Sequence, residues 1–214
     1  MRKLAAVAAT AAFALIAPWN SGTAEAAIAT LTGSDCGIVG GAGTTLPVAG
    51  AITCSADPAR TDEGDIEFNA PAAGDDFYSL GLYGGLTYSI VPDFISPGSV
   101  VEVTFRSNHT ESIDVYVSAT GLAGDWTKIG NVDNNNGNPA NTTHALPVFA
   151  GQFSHIGFRD VTKTEFPGTG STDGFDIAAF SVTPVPIPGA VWLFGSGVLG
   201  LLGVGYSRRR KAAA

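Results

Sequence analysis

The side chains in this 214-residue chain that could act on a substrate or hold an ion are few and scattered. Its three histidines stand far apart: His109 and His144 among polar turn-formers, and His155 alternating with Ile156 so that it faces outward from a strand. Hydrolysis by serine needs a base within hydrogen-bond reach and usually a Gly-x-Ser-x-Gly elbow, and no such elbow occurs. A paired-carboxylate glycosidase is compatible with the spacing, because its two acids can lie far apart in sequence. Most of the carboxylates, however, sit in turn-like segments, where they solvate loops. The expectation is a protein that is not an enzyme, with a polysaccharide-processing enzyme as a lesser alternative.

Binding chemistry has better candidates. Calcium takes six to eight oxygen ligands. Asp173 and Asp176, which open the last apolar-alternating segment, are candidate calcium ligands, with Asp62, Glu63, Asp65 and Glu67 near the first core strand, which could be that segment's neighbour. Residues 133–137 look like a calcium loop but fail on register: with Gly137 at loop position six, Val132 would be the first ligand, so the segment reads as a hairpin turn. No other cofactor is indicated. A sugar site needs an exposed aromatic platform. Trp126, after Gly124-Asp125, and Tyr116, on the polar side of its strand, are the candidate glycan-binding residues, with Tyr83 and Tyr88 as further aromatic candidates. Asn108-His109-Thr110 and Asn141-Thr142-Thr143 fit the N-glycosylation pattern and read as turn residues.

The elements that must position these residues are strands. Residues 101–106 and 113–118 alternate apolar and polar strictly. Further strand candidates are 65–69, 77–82, 86–90, 126–132, 145–149, 153–159 and 175–182, separated by clusters of Gly, Pro, Asn and Asp. Short strands at this spacing predict an all-β sandwich over residues 27–184. Within that span, five cations face 18 carboxylates, and 5 − 18 gives −13. Such a surface repels nucleic acid and anionic lipid. Cys36 and Cys54 read as one disulfide closing a Gly-rich loop in an oxidising compartment, since a tetrahedral metal site would want two further ligands.

Both ends read as addresses. Arg2 and Lys3 precede an apolar run from Leu4 to Ala17, and Ala24-Glu25-Ala26 supplies a small-x-small cleavage pattern, so residues 1–26 read as a signal-peptide helix. At the other end an apolar stretch, residues 190–206, is followed by Arg208, Arg209, Arg210 and Lys211. At about 1.5 Å rise per residue it would reach about 25 Å, close to the hydrocarbon thickness, so it reads as a transmembrane helix with its basic end cytoplasmic.

The tail is recognisable. Val185, Pro186, Pro188, Val191, Trp192, Leu193, Phe194, Gly195, Ser196 and Gly197, followed by the arginines, resemble the PEP-CTERM sorting signal in its Val-Pro-x-Pro variant. The resemblance covers residues 185–214, with Pro-Ile-Pro in place of Pro-Glu-Pro. It implies a Gram-negative bacterium, an exosortase partner that processes the tail, and handover from the membrane to the cell surface or exopolysaccharide matrix. The segments Val115-Tyr116-Val117-Ser118, Gly124-Asp125-Trp126, Gly157-Phe158-Arg159-Asp160 and Asp173-Gly174-Phe175-Asp176-Ile177 resemble the galactose-binding-like jelly roll common among proteins with this tail. That resemblance implies carbohydrate-binding ancestry. The resulting expectation is a secreted, non-catalytic surface protein, with a lectin-like module as the alternative.

Overall fold

The computed structural model describes residues 27–37, 43–69, 76–104, 109–134, 140–149 and 151–184. They belong to one compact unit, residues 24–186; a second unit, residues 1–23 and 187–214, lies outside them. The signal helix, the apolar run 190–206 and the sorting motif therefore lie outside the described residues. Among the described residues, no helix is long and apolar enough to cross a membrane.

The described residues form nine strands: β1 (Ile28–Ser34), β2 (Glu67–Phe68), β3 (Tyr78–Ser79), β4 (Gly85–Thr104), β5 (Ser112–Ser118), β6 (Thr127–Asp133), β7 (Ala140–Ala145), β8 (Phe153–Asp160) and β9 (Asp176–Pro184). The expected all-β sandwich is present. One layer runs β1-β4-β8-β5-β6 and the other β7-β4-β9, with β2 and β3 sharing the far edge of β9. β4 joins the two layers. Its first part pairs with β1 and β8, its second with β9 and β7, and Phe94 at the corner pairs with both Phe153 and Pro184.

Alternation explains the layers. In β5, Ile113, Val115 and Val117 are fully buried in the core, and in β8 Ile156 and Phe158 meet them there. Phe180 of β9 closes the core, its ring 4.8 Å from Tyr88, 5.4 Å from Phe158 and 5.1 Å from Phe68. A bulge re-phases β9: Val101 pairs with Ala179 but Glu102 with Ile177, so Ile177 and Phe180 both reach the core.

Several local readings differ from the structure. Residues 28–34, where the sequence suggests no strand, form the edge strand β1. The candidate strand 145–149 lies beyond β7, which is built from the more polar residues 140–145. The turn after Asp133 is not a hairpin, because β6 pairs with β5 and β7 with β4; residues 135–139 lie outside the described residues. The Gly-rich segment 80–84, which the sequence suggests is a turn between two strands paired with each other, does not join such a pair, since β3 pairs with β9. There Tyr83 adopts a positive φ of 59°, unusual for a bulky residue. Its N–H donates to Asp160 (3.0 Å) and its carbonyl accepts from Arg159 (2.7 Å), which fixes the turn at both sides.

Candidate glycan-binding face

The outward side chains of β5 and β8 pair across the strands as Asp114 with Arg159, Tyr116 with Gly157, and Ser118 with His155. They would face water, but the segment after β1 folds over them. Cys36 and Cys54 are disulfide-bonded with Cα atoms 5.3 Å apart, which closes that segment as a loop. Arg159, 2% exposed, is its fastening: the guanidinium donates to Asp35, to the Thr44 hydroxyl at 2.6 Å, and to the carbonyls of Tyr83 and Leu46. Asp35 in turn accepts from the Thr44 N–H at 2.7 Å and the Thr44 hydroxyl at 3.0 Å. A planar fork bonded on two sides can hold loop backbone and carboxylate together, which a lysine cannot do.

Trp126 stands where this loop meets the β5–β6 turn, half-buried at the start of β6. Its indole Nε1 donates to Thr45 Oγ1 (2.8 Å), whose own proton goes to the Gly121 carbonyl (2.8 Å). Gly157 makes room underneath: a β-carbon there would come within 2.8 Å of Leu46 and 3.2 Å of the indole. His155 meets the indole edge-on, with ring centroids 6.3 Å apart. Gly121, at φ 71°, packs so closely on the imidazole that any side chain would strike it. The Ser154 hydroxyl donates to the Ala119 carbonyl (2.6 Å), so it accepts from His155 Nδ1 (2.8 Å), which fixes the Nδ1–H tautomer. Burial lowers the His155 pKa, opposed by Asp93 and Asp125.

A carboxylate and its hydroxyl donors occupy the turn that leads into Trp126. Asp125 accepts from the Thr120 hydroxyl (2.6 Å), the Ser118 hydroxyl (2.9 Å) and the Thr120 N–H (3.0 Å). Those hydroxyl donors, Thr120 first, lower its pKa and keep it an acceptor at neutral pH. The arrangement therefore offers an aromatic surface with fixed tilt and oxygen acceptors beside it.

The other candidates are placed differently. Tyr116, expected to present its ring to a glycan, is only 8% exposed, and burial raises its pKa. Alternation in β5 put it on the outer face; the cover over the neighbouring β8 residues came from Asp35, Thr44 and Leu46, distant in sequence. Asp173 and Asp176 are engaged by different partners: Asp173 pairs with Arg60, and buried Asp176 accepts from the Ser79 hydroxyl. Asp62 caps its own turn through the Gly64 N–H. Among the described residues, no group of three or more His, Cys, Asp or Glu side chains converges as metal ligands. The histidines stay apart, His109 against Gly170, His144 6.2 Å from the Phe175 ring and His155 beside Trp126. Sequence reasoning missed Thr45, which lies in no motif, and the role of Arg159, read only as part of Gly157-Phe158-Arg159-Asp160; they act on residues 81 and more than 100 positions away.

No protein-family model matches the chain, and no curated protein matches it in sequence. Among solved structures it is similar to a truncated AlyQ with CBM32 and alginate lyase domains, at 10% identity and TM-score 0.40 over 75% of this chain. The chain spans 35% of the length of that protein. It is also similar to the CBM32 of AlyQ in complex with 4,5-unsaturated mannuronic acid, at 12% identity and TM-score 0.41, covering 64% of this chain and 95% of that one. A third likeness is CpGH89CBM32-5 from Clostridium perfringens in complex with GalNAc-β-1,3-galactose, at 10% identity and TM-score 0.36, covering 73% and 94%.

Proposed function

We propose that this chain is an exported, non-catalytic surface protein whose β-sandwich, of jelly-roll type, binds carbohydrate through Trp126. One observation carries the binding reading: a half-buried indole whose only polar atom is already bonded to Thr45, so that its ring offers a rigid apolar surface at little further entropic cost. Sugars present C–H faces that pack on such rings and hydroxyls that need nearby acceptors, which Asp125 and the 119–125 turn supply. The address rests on the two ends of the sequence: export by residues 1–26, anchoring by residues 190–206, then processing by an exosortase at the Val185-Pro186-Ile187-Pro188 motif and association with exopolysaccharide.

A glycan array probed with residues 27–184 tests the binding. Wild type is expected to bind a subset of neutral glycans, and Trp126→Ala to lose at least tenfold in affinity while keeping its circular dichroism spectrum. Binding by neither protein would leave the structural matrix role as the better reading. Mass spectrometry of the surface fraction tests the address: the mature protein is expected to start at Ala27 and to lack Arg208, Arg209 and Arg210.

A further inference from the structure

Among the described residues, seven large apolar side chains are conspicuously exposed, and five of them, Ile28, Val91, Leu122, Val148 and Phe149, belong to one end of the sandwich. The register fixes that end. Ile28 pairs with Val91, and Phe94, three residues on, pairs with both Phe153 and Pro184. The Phe149 ring lies 5.9 Å from Phe153, and Leu122 sits in the β5–β6 turn that Ser154 holds through the Ala119 carbonyl. The opposite end is acidic: Asp62, Asp65 and Asp76 crowd closely enough to raise the Asp65 pKa, after burial, and Asp173 stands near them with Arg60.

The apolar end is also where residues 27 and 184 leave the sandwich. Only five residues, 185–189, separate Pro184 from the apolar run that begins at Ala190. At no more than about 3.5 Å per residue, they reach about 18 Å. If the run spans a bilayer, the apolar end cannot stand far from the lipid surface. Its charges point to the kind of lipid. The described cations are engaged elsewhere: Arg60 with Asp173, Lys128 with Asp114, Arg159 inside the fold and Lys163 on the Thr169 carbonyl. Asp93 and Asp125 stand at or beside the apolar end.

We infer that this end is a membrane-apposition surface, resting on the zwitterionic headgroup region while the chain is anchored through residues 190–206; this inference rests on the anchored reading above. Five scattered side chains would not hold a free protein on a bilayer. Tethering changes that, because the short connection makes the contact intramolecular and gives it a high effective concentration.

Full-length protein in phosphatidylcholine–phosphatidylethanolamine vesicles carrying headgroup spin-labelled lipid tests this. A fluorophore on Val148→Cys reports the apolar end, and one on Gly168→Cys, where the structure has open space, reports a loop at the other end. Quenching is expected to be at least twofold stronger at position 148, and not to rise when anionic lipid is added. Equal quenching at both positions, in protein that floats with the vesicles and resists alkaline washing, would overturn the apposition and leave the anchor intact. Protein that fails to float would overturn both. Cross-linking of two copies through position 148 without lipid quenching would make a second chain the occupant and also overturn the proposal.

Discussion

Arg159 is the residue on which the face of the sandwich depends most. It is 2% exposed, paired with Asp35, and bonded to three further oxygens. Replacing it by methionine keeps much of the packing but leaves Asp35 without its charge partner. Breaking a buried pair from one side costs about 3–5 kcal/mol, and urea denaturation of residues 27–184 should show Arg159→Met destabilised by that order. Gly157 tests the same face without touching charge. A valine there must displace Leu46 and the Trp126 ring, so an overpacking cost of about 1–3 kcal/mol is expected. Tryptophan emission should shift as the Nε1–Thr45 bond breaks. His155 adds a pH signature. Its folded pKa is depressed by burial, so the unfolded chain takes up the proton first and stability falls as pH drops below about 6.5. Thermal melts at pH 5 and 7.5 should show that loss in wild type, and a smaller one in His155→Asn.

At the scale of elements, the closed loop decides whether the binding face exists. The Cys36–Cys54 bridge closes a loop of sequence separation 18, for which chain entropy gives about 3 kcal/mol. Reduction should lower stability by that order. It should also loosen Thr45, so the Trp126 emission is expected to change before global unfolding; unchanged emission at full reduction would show that Arg159 alone holds the loop. The strands themselves were largely legible, because β5 and β8 bury one side of a clean alternation. The cover over their other side was not, since Arg159 meets Thr44 and Asp35 across 115 and 124 residues and neither contact leaves a periodic trace. β1 escaped for a related reason: Ile28–Ser34 is a weakly apolar edge strand, half exposed along most of its length. The β4 corner escaped because Pro92 and Pro97 read as turns, whereas pairing with both layers carries the strand through them. Trp126 could be picked out by residue type, but its anchoring on Thr45 could not.

For the whole molecule, charge sets which polymers can approach. Residues 27–184 carry 5 cations against 18 carboxylates, and the described cations are paired, buried or capping backbone. Asp125 immediately precedes Trp126 in the chain, its pKa lowered by its hydroxyl donors, so it is ionised throughout the physiological range. A uronate-rich polymer arriving at Trp126 meets the long-range field of the acidic domain, and among the described residues the nearby Lys128 is paired with Asp114. A neutral polymer meets only the ring and the acceptors. Because the Debye length is about 10 Å at 0.1 M salt, the two cases separate cleanly in a titration. Affinity gel electrophoresis with a neutral glucan should show retardation that is insensitive to salt and lost in Trp126→Ala. With an anionic uronan, retardation should be absent at low salt and should emerge only as salt screens the repulsion. Strong uronan binding that weakens as salt is added would mean that a cation reaches the site, placing recognition away from the Asp125 side of the indole.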